Sequence, residues 1–318
     1  MSKLRAAVVG AGRLGSLHAR KYAALDGVSV DYIVDVDHDR AGQLAAEFGA
    51  TAVADYGALA GKVDLATVAS PGVTHHQIAS ALLSSGIDVL LEKPMAATLA
   101  EARELAALAS RKGRVLQIGH LERFNPAVVQ LHSIVQKPRF VECHRLASFT
   151  ERGTDVDVIL DLMVHDLDVI LSVAPSEVAS LEAVGVAILT DRIDLANARI
   201  RFQSGLIANL VTSRVAARRE RKIRFFQPDA YISVDYEARR IQIYRKSPAP
   251  PGSQFPMISA EQIDLGEADP LADEVRSFVE SVKTRAKPAV SADDGLRVME
   301  LTERIKQVME TDAAAASS

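Results

Sequence analysis

Short, nearly continuous runs of apolar residues recur through the first 120 positions, separated by longer stretches in which apolar residues have helical spacing. The runs occupy residues 5–9, 28–35, 64–69, 87–91 and 115–118. Such runs are typical of parallel strands that are buried on both faces. Because the strands alternate with helices, the pattern predicts an α/β fold with a doubly wound parallel sheet.

Capping residues mark the helix boundaries in this region. Thr74 with Gln77 and Thr98 with Glu101 have the spacing of a capping box, in which two side chains satisfy free backbone N–H groups. Three glycines stand where helices should end, since glycine adopts the left-handed conformation of a C-terminal cap without strain: Gly49, Gly86 and Gly113.

After about residue 120 the pattern changes to a rough period of two. Segments rich in Val, Ile, Phe and Arg lie near residues 139–149, 180–190, 195–213, 221–227, 230–236 and 240–246. This alternation predicts a large, mostly antiparallel sheet with one covered face. Two amphipathic helices follow, with stripes from Leu271 to Val282 and from Val298 to Val308. We therefore expect two domains, 1–120 and 121–318, the second of α+β type.

Composition narrows the function classes. The chain has 318 residues, 48% of them apolar and 25% charged, as in an ordinary globular protein. Its net charge of -4 disfavours a nucleic-acid partner. The single cysteine, Cys143, can form neither an internal disulfide nor a thiolate zinc cluster. There is no apolar run of the roughly 18 residues that a membrane span needs, nor a signal-peptide pattern, so we expect a cytoplasmic protein.

A glycine-rich loop follows the first predicted strand. Its glycines, Gly10, Gly12 and Gly15, have the spacing that permits a tight turn, the approach of a pyrophosphate to the backbone, and close packing of helix on strand. Asp35 ends the second predicted strand, where a carboxylate can accept hydrogen bonds from an adenosine ribose. A glycine turn of another α/β protein is the alternative, which this context disfavours. The pattern predicts a dinucleotide site.

Asp35 also indicates which dinucleotide binds. A carboxylate there favours the ribose diol of NAD and repels a 2'-phosphate, so we expect NAD, with NADP less favoured. His38 and Arg40 lie close enough in sequence to weaken that preference. We interpret Asp37 and Asp39 as helix-capping residues in preference to cofactor ligands.

Two further patterns carry candidate chemistry. Lys93 follows a predicted strand and precedes Pro94, so its side chain should project beyond the carboxyl end of the sheet, although alone it would be a charged residue at a strand exit. In the predicted helix 159–171, Asp161, His165 and Asp168 share a polar edge, where a carboxylate can orient a proton-transferring imidazole. An exposed ion pair is the alternative. A metal site is a third interpretation, but the other histidines supply no convincing ligand set, and we expect no metal.

These patterns together resemble one enzyme family. They are GAGRLG at 10–15 with His18, Asp35, ATVASPGVTHHQIASALLSSGIDVLLEKPMA at 66–96, IGHLERFNP at 118–126, and Asp161 with His165 and Asp168. Together they look like the glucose-fructose oxidoreductase and inositol dehydrogenase family (Gfo/Idh/MocA). The resemblance implies an NAD-binding Rossmann domain, followed by a domain that binds substrate and forms a homo-oligomer, a dimer or a tetramer. It also implies NAD(P)-dependent oxidation or reduction of a CH–OH group of a sugar.

The resemblance also implies roles for individual residues. The catalytic residues would be Lys93, Asp161 and His165, which with Arg123 would also contact the substrate. The cofactor would be held by Gly10, Gly12, Arg13, Leu14, Gly15, Asp35, Ser70, Pro71, His75, Glu92 and Lys93. Whether Lys93 or His165 takes the proton is left open.

The residues before the catalytic helix depart from the family. Members often have a diglycine run before this helix and a glycine two residues after the aspartate, where this chain has GTDVDVIL and Met163. We therefore expect a different pocket floor. The segment GHLERFNP is similar to members that oxidise C3 of UDP-N-acetylglucosamine, so a UDP-N-acetylhexosamine is the expected substrate.

Other functions compete with this one. A polyol, inositol or free-sugar dehydrogenase is the alternative within the enzyme class, and a non-catalytic NAD(H)-sensing regulator is the alternative outside it. The presence of Lys93 and His165 counts against the regulator. The basic stretch 214–224 (RVAARRERKIR) could meet a diphosphate, but alternating charges on a solvent-exposed face are the favoured interpretation.

Overall fold

A parallel sheet forms the first part of the computed structural model, which describes residues 3–150, 154 and 156–316. Its strands are β1 (Leu4–Val9), β2 (Val28–Val34), β3 (Thr51–Val53), β4 (Leu65–Val68), β5 (Asp88–Glu92) and β6 (Leu116–Gly119). The order across the sheet is β3-β2-β1-β4-β5-β6. This is the strand order of a dinucleotide-binding fold. The parallel strands are added toward one edge of the sheet from β1 to β3 and toward the other edge from β4 onward, so the strand order reverses between β1 and β4. The predicted doubly wound sheet is confirmed.

Helices cover both faces of this sheet. The helices of the chain are α1 (Arg13–Ala23), α2 (His38–Phe48), α3 (His75–Ser84), α4 (Leu99–Lys112), α5 (Pro126–Ile134), α6 (Val164–Val173), α7 (Pro270–Thr284) and α8 (Ala292–Ala316). Apolar side chains of α3 and α4 pack in one layer with the sheet, and those of α1, α2 and α7 pack in another. Both faces of the central strands are therefore buried, which explains their continuous apolar runs.

The capping predictions have different outcomes. Thr98 and Glu101 form the expected capping box at the start of α4, and Gly49 and Gly113 end α2 and α4 in the left-handed conformation. The prediction for Thr74 is wrong, because its side chain caps no helical N–H group. A 3₁₀ turn, Gly72–Thr74, precedes α3, and the Thr74 hydroxyl donates to the carbonyl of Pro71.

A second sheet lies in the later part of the chain. Its strands are β7 (Phe140–Leu146), β8 (Val178–Val186), β9 (Leu195–Phe202), β10 (Ile207–Ser213), β11 (Glu220–Gln227), β12 (Ala230–Asp235), β13 (Arg240–Ser247) and β14 (Met257–Asp264). They are ordered β14-β13-β12-β11-β7-β10-β9-β8. The pairing of β7 with β10 is parallel and the others are antiparallel. The prediction of a mostly antiparallel sheet is confirmed.

Strands β3 and β14 were not predicted, and both lie at sheet edges. β3 has three residues, too few to show a period. β14 is exposed on nearly every residue, so its side chains do not alternate between a core and solvent. By contrast, β7 and β12 alternate strictly between partly buried and buried residues, the pattern that the sequence displays.

The chain divides into two units. The first comprises Met1–Phe124 and Asp269–Met299, and the second comprises Asn125–Ala268 and Glu300–Ser318. The sequence analysis placed α7 in the second domain, but four of its residues, Val275, Phe278, Val279 and Val282, are buried in the core of the first unit. A helix at the far end of the chain therefore completes the first unit.

Among the described residues, none of the helices combines the length and apolar character needed to cross a bilayer.

Candidate active site

The glycine loop connects β1 to α1. Gly10 has a φ of 98°, and a Cβ there would lie 2.6 Å from the carbonyl oxygen of Ala69, so another side chain would be excluded. A Cβ on Gly15 would lie 1.7 Å from the carbonyl oxygen of Gly10. Gly12 differs, because its Cβ would meet no atom of the chain within 4 Å. The packing of the chain does not require that glycine, and its bare backbone at the start of α1 fits a pyrophosphate.

Asp35 follows β2 and anchors this loop. One carboxylate oxygen accepts from the Ala11 N–H at 2.7 Å and the other from the Asp37 N–H at 3.0 Å. The Arg40 guanidinium donates to both oxygens, at 3.1 and 2.7 Å. Burial of Asp35 opposes its charge, but these donors outweigh burial and hold the pKa of Asp35 below its ordinary value. A ribose diol would therefore compete with Arg40 for this carboxylate.

The other residues around the loop have separate contacts. Arg13 and Leu14 are exposed in the first turn of α1. Asp37 caps α2 by accepting from the Arg40 N–H at 3.0 Å, as predicted. After β4, the hydroxyls of Ser70 and Thr74 are 2.8 Å apart.

His75, at the start of α3, is only 1% exposed. Its Nδ1 lies 2.7 Å from the carbonyl oxygen of Pro94, and its Nε2 lies 2.9 Å from that of Ser70. Both ring nitrogens thus face backbone carbonyls, and His75 connects the segment after β4 to the segment after β5. A cofactor contact by this side chain stays a prediction.

Glu92 is the last residue of β5, and Lys93 follows it. The Glu92 carboxylate lies 2.8 Å from Nε2 of His18 and accepts from the Lys93 N–H at 3.3 Å. A Cβ on Gly119 of β6 would lie 2.9 Å from the Glu92 carboxyl carbon, so this glycine provides the space for the Glu92 side chain. Lys93 is partly buried at the carboxyl end of the sheet, where the sequence analysis expected it.

Glu274 of α7 adds a second buried acid to this region. Atoms of His18, Glu92 and Glu274 lie within 4.8 Å of one another. A divalent ion could bridge such atoms, but His18 and Glu92 already contact each other directly, so we interpret them as a hydrogen-bonded pair with Glu274 beside it. Burial, with the charge of Glu92, raises the pKa of Glu274 well above its ordinary value. Burial therefore favours the protonated, uncharged form of Glu274 over the charged form.

Arg123 lies in a 3₁₀ turn, Leu121–Phe124, that follows β6. Its guanidinium is 3.7 Å from the carboxylate of Asp294, a residue that also accepts from Ser291 at the start of α8. Both Arg123 and Asp294 belong to the first unit. A role of Arg123 in substrate binding stays a prediction.

The segment expected to be one α-helix begins with a π turn, Ile159–Met163, and continues as α6. The Val164 N–H donates to the Ile159 carbonyl, five residues back. The assumption of uniform α-helical spacing from Asp161 to His165 is therefore wrong, because a π turn contains more residues than an α turn. Both side chains are partly buried, and Asp168 is fully buried. Within the departure from the family, residues 153 and 155 lie outside the described residues.

The basic stretch 214–224 does not form a free cationic patch. Four of its exposed and partly exposed cations have acidic neighbours: Arg218 with Glu220, Arg219 with Glu237, Lys222 with Asp235, and Arg224 with Glu142. Arg214 is buried, and its guanidinium donates to the Val156 carbonyl at 2.5 Å. These four pairs agree with the favoured interpretation of alternating charges on a solvent-exposed face, whereas Arg214 departs from it.

Sequence analysis missed three residues that contact the predicted site residues. His18 was part of the resemblance but was given no role, and Glu274 was counted only within an amphipathic helix. Arg40 was noted as a neighbour of Asp35 without a contact. Their signal in the sequence is weak, since a single histidine or acid in a helix has no partner that spacing can identify.

Comparison with known proteins places both parts of the chain. A model described as "Oxidoreductase family, NAD-binding Rossmann fold" matches residues 4–120, and one described as "GFO/IDH/MocA C-terminal domain" matches residues 127–233. The UDP-N-acetylglucosamine 3-dehydrogenase of Acidithiobacillus ferrooxidans is 35% identical over 98% of both chains. The myo-inositol 2-dehydrogenase of Thermotoga maritima is 25% identical over 96% of both. The solved structure of the Acidithiobacillus enzyme GnnA matches with a TM-score of 0.90 and 34% identity, over 98% of this chain and 99% of that chain.

Proposed function

The chain belongs to the Gfo/Idh/MocA family of NAD-binding oxidoreductases, and on that premise we propose that it oxidises the C3 hydroxyl of a UDP-N-acetylhexosamine. The observation that carries this proposal is the likeness to a UDP-N-acetylglucosamine 3-dehydrogenase over 98% of both chains at 35% identity. The inositol dehydrogenase of comparable coverage is 25% identical, which makes inositol or another polyol the second candidate substrate.

Residues of the first unit would hold the dinucleotide. Gly12 and the free N–H groups at the start of α1 would face the pyrophosphate, and Asp35 would accept from the adenosine ribose. Bound there, NAD supplies a nicotinamide ring that accepts a hydride. The carboxylate of Asp35 supports NAD over NADP, while Arg40 beside it limits that preference.

Lys93, His165 and Asp161 are the proposed catalytic residues. Oxidation of a hydroxyl releases a proton, and an amine or an imidazole can accept it. We assign this transfer to Lys93 and His165 together, with Asp161 contacting the substrate or orienting His165. Arg123 is proposed to contact the substrate.

We propose the cytoplasm as the compartment and a homo-oligomer as the assembly. The single cysteine, Cys143, can form no internal disulfide, which supports a reducing compartment. It is buried, and burial raises the pKa of its thiol. The assembly is proposed from the family alone.

The test is a substrate panel assayed by nicotinamide absorbance. It contains UDP-N-acetylglucosamine, UDP-N-acetylgalactosamine, UDP-glucose, free N-acetylglucosamine and myo-inositol, each with NAD and with NADP. We expect turnover with the UDP-N-acetylhexosamines and a 3-keto product by mass spectrometry. Higher kcat/KM for inositol or a free sugar would overturn the nucleotide-sugar assignment.

The same assay tests His165. We expect His165→Asn to lower turnover by about tenfold or more while thermal unfolding stays close to that of the wild type. An unchanged rate would remove His165 from the proposed catalytic residues, and a large loss of stability would identify it as a structural histidine.

A further inference from the structure

Two buried histidines contact the chain neighbours of Lys93. His18 of α1 contacts the side chain of Glu92, and His75 of α3 contacts the backbone of Pro94. The histidines are 0% and 1% exposed. All of these residues belong to the first unit, but the two helices are separate in the chain. Lys93 is therefore flanked by one histidine contact on each side.

On the Glu92 side, the contact reaches the lysine backbone through one carboxylate. One oxygen of Glu92 lies 2.8 Å from Nε2 of His18, and the other accepts from the Lys93 N–H. Gly119 leaves the space that the Glu92 carboxylate occupies. Within the described part of the chain neither oxygen of Glu274 makes a hydrogen bond, so Glu274 does not compete with Glu92 for His18. His18 is thus the partner that directs Glu92.

On the Pro94 side, the contact is made by one ring nitrogen and supported by the other. Nδ1 of His75 lies 2.7 Å from the Pro94 carbonyl, while Nε2 lies 2.9 Å from the Ser70 carbonyl. A carbonyl oxygen can only accept a hydrogen bond and a neutral imidazole has one N–H, so the tautomer of the ring decides which of the two carbonyls receives it. The His75 ring thereby ties the segment after β5 to the segment after β4.

We propose that His18 and His75 are positioning residues for Lys93, each holding one chain neighbour so that the lysine side chain leaves β5 in one direction. This inference rests on the proposed function, in which Lys93 transfers a proton. A lysine side chain has many accessible rotamers, and a displacement of about 1 Å at a reacting group costs about 100-fold in rate. Fixing both neighbours of Lys93 limits such displacement.

Asparagine and glutamine variants separate this role from a general packing role. The amide nitrogen of asparagine takes the place of Nδ1 of histidine, and that of glutamine takes the place of Nε2. His75→Asn therefore places an N–H donor at the position that faces Pro94, whereas His75→Gln places one at the position that faces Ser70. At position 18 the order reverses, because Nε2 makes the contact to Glu92.

The expected result is a crossed pattern. The kcat of His75→Asn should exceed that of His75→Gln by about tenfold or more, and the kcat of His18→Gln should exceed that of His18→Asn by a similar factor. The KM for NAD should change less than about threefold in all four variants, since lost positioning affects turnover more than binding. The control is His76 of α3, whose Nε2 lies 3.0 Å from the carboxylate of Glu104. The kcat of His76→Asn and that of His76→Gln should be equal.

A second readout does not need turnover. Lysines are methylated reductively with carbon-13 formaldehyde, and Lys93→Arg identifies the Lys93 signal in the NMR spectrum. The signal should move and broaden in His75→Gln and His18→Asn more than in their partner variants. Thermal unfolding is measured for all four, and if one pair does not fold, the pair at the other histidine decides.

Two results would overturn the inference. One is equal loss of kcat in the Asn and Gln variants of each histidine, in parallel with thermal stability, which would mean packing alone. The other is a Lys93 signal that none of the four variants moves. If instead the wild type turns over no substrate while the NMR signal keeps the crossed pattern, the positioning holds and the catalytic assignment of Lys93 fails.

Discussion

Three buried acids, two in the second unit and one in the first, have different surroundings. In the second unit, Asp166 of α6 is 3% exposed and accepts two hydrogen bonds from Arg145 of β7, both at 2.9 Å. Asp194 is 0% exposed and accepts from the N–H groups of Ile188, Leu189 and Thr190. In the first unit, Glu274 is also 0% exposed, yet within the described part of the chain neither of its oxygens has a hydrogen-bond partner.

This difference separates structural from functional burial. An acid that receives several donors keeps its charge and connects elements of the fold, as Asp166 connects α6 to β7. An acid without donors is neutral, and it is retained at a cost in stability. Glu274 lies beside Glu92 and so next to the proposed catalytic lysine. Native proteins concentrate such unsatisfied groups at functional sites.

The largest expected effect tests whether the region around Glu92 and Lys93 is functional. Lys93→Met should leave NAD affinity nearly unchanged and lower turnover by about 10² to 10⁴, because it removes a positioned proton-transfer group. Steady-state kinetics and NAD titration measure both quantities. Lys112→Met, at the exposed end of α4, is the matched control. If Lys93→Met retains wild-type turnover, the lysine is only a charge at a strand exit.

The next effect tests the structural side of the comparison. Asp166→Ala should lower the free energy of unfolding by about 3 to 5 kcal/mol, because it leaves the Arg145 guanidinium buried without its partner. Urea unfolding measures the change. The control is Asp273→Ala, which removes an exposed pair with Arg276 and should cost less than about 1 kcal/mol. Equal losses in the two variants would contradict the assignment of Asp166 to the core.

The pH dependence of stability should have opposite signs at Asp194 and Glu274. Burial opposes the charge of Asp194, but its N–H donors and the Thr190 hydroxyl outweigh burial and lower its pKa from 3.8 to about 2. Asp194 therefore contributes about 2 kcal/mol of stability above pH 3.8 that is lost as the pH falls toward 2. The pKa of Glu274 is raised above 4.5 in the folded protein. Its contribution to the free energy of unfolding is therefore present below pH 4.5 and is lost as the pH rises through the folded-state pKa of Glu274.

Two neutral variants isolate these contributions in urea unfolding across the pH range. Asp194→Asn should flatten the loss of stability between pH 3.8 and 2. Glu274→Gln should flatten the decline above pH 4.5 and be more stable than the wild type at neutral pH. A Glu274→Gln protein with an unchanged slope above pH 4.5 would mean that this acid is charged when folded.

The smallest effect concerns Asp35. This acid belongs to the proposed cofactor site, and it also accepts hydrogen bonds from several donors, as the structural acids of the second unit do. Asp35→Ala should narrow the preference for NAD over NADP by about tenfold, and Arg40→Ala should widen it, because the guanidinium attracts a 2'-phosphate. Fluorescence titration of both reduced cofactors measures the ratio. The control is Asp39→Ala, because Asp39 is exposed on α2, the helix that also carries Arg40. Equal wild-type affinity for the two cofactors would contradict the NAD preference.

Much of the first unit was predictable from residues close together in sequence. Gly10 and Gly15 lie in the loop and helix that follow a buried strand, and local geometry requires both: Gly10 has a φ of 98°, and a Cβ on Gly15 would meet the carbonyl of Gly10. The capping box of Thr98 and Glu101 joins residues three positions apart, and in the second unit the alternation of β12 likewise reports the burial of each residue directly. Local backbone geometry governs all of these features, so their sequence pattern is sufficient to identify them.

The contacts that give Lys93 its surroundings needed the folded chain. His18 and Glu92 are 74 residues apart, and Glu274 comes from a helix that the sequence analysis assigned to the other domain. The π turn before α6 likewise has no glycine or proline to mark it. Periodicity states that a residue is buried, but not which distant group faces it. Because the charge of a buried acid depends on the donors within hydrogen-bond distance, the packing of α1, α3 and α7 against the sheet determines it.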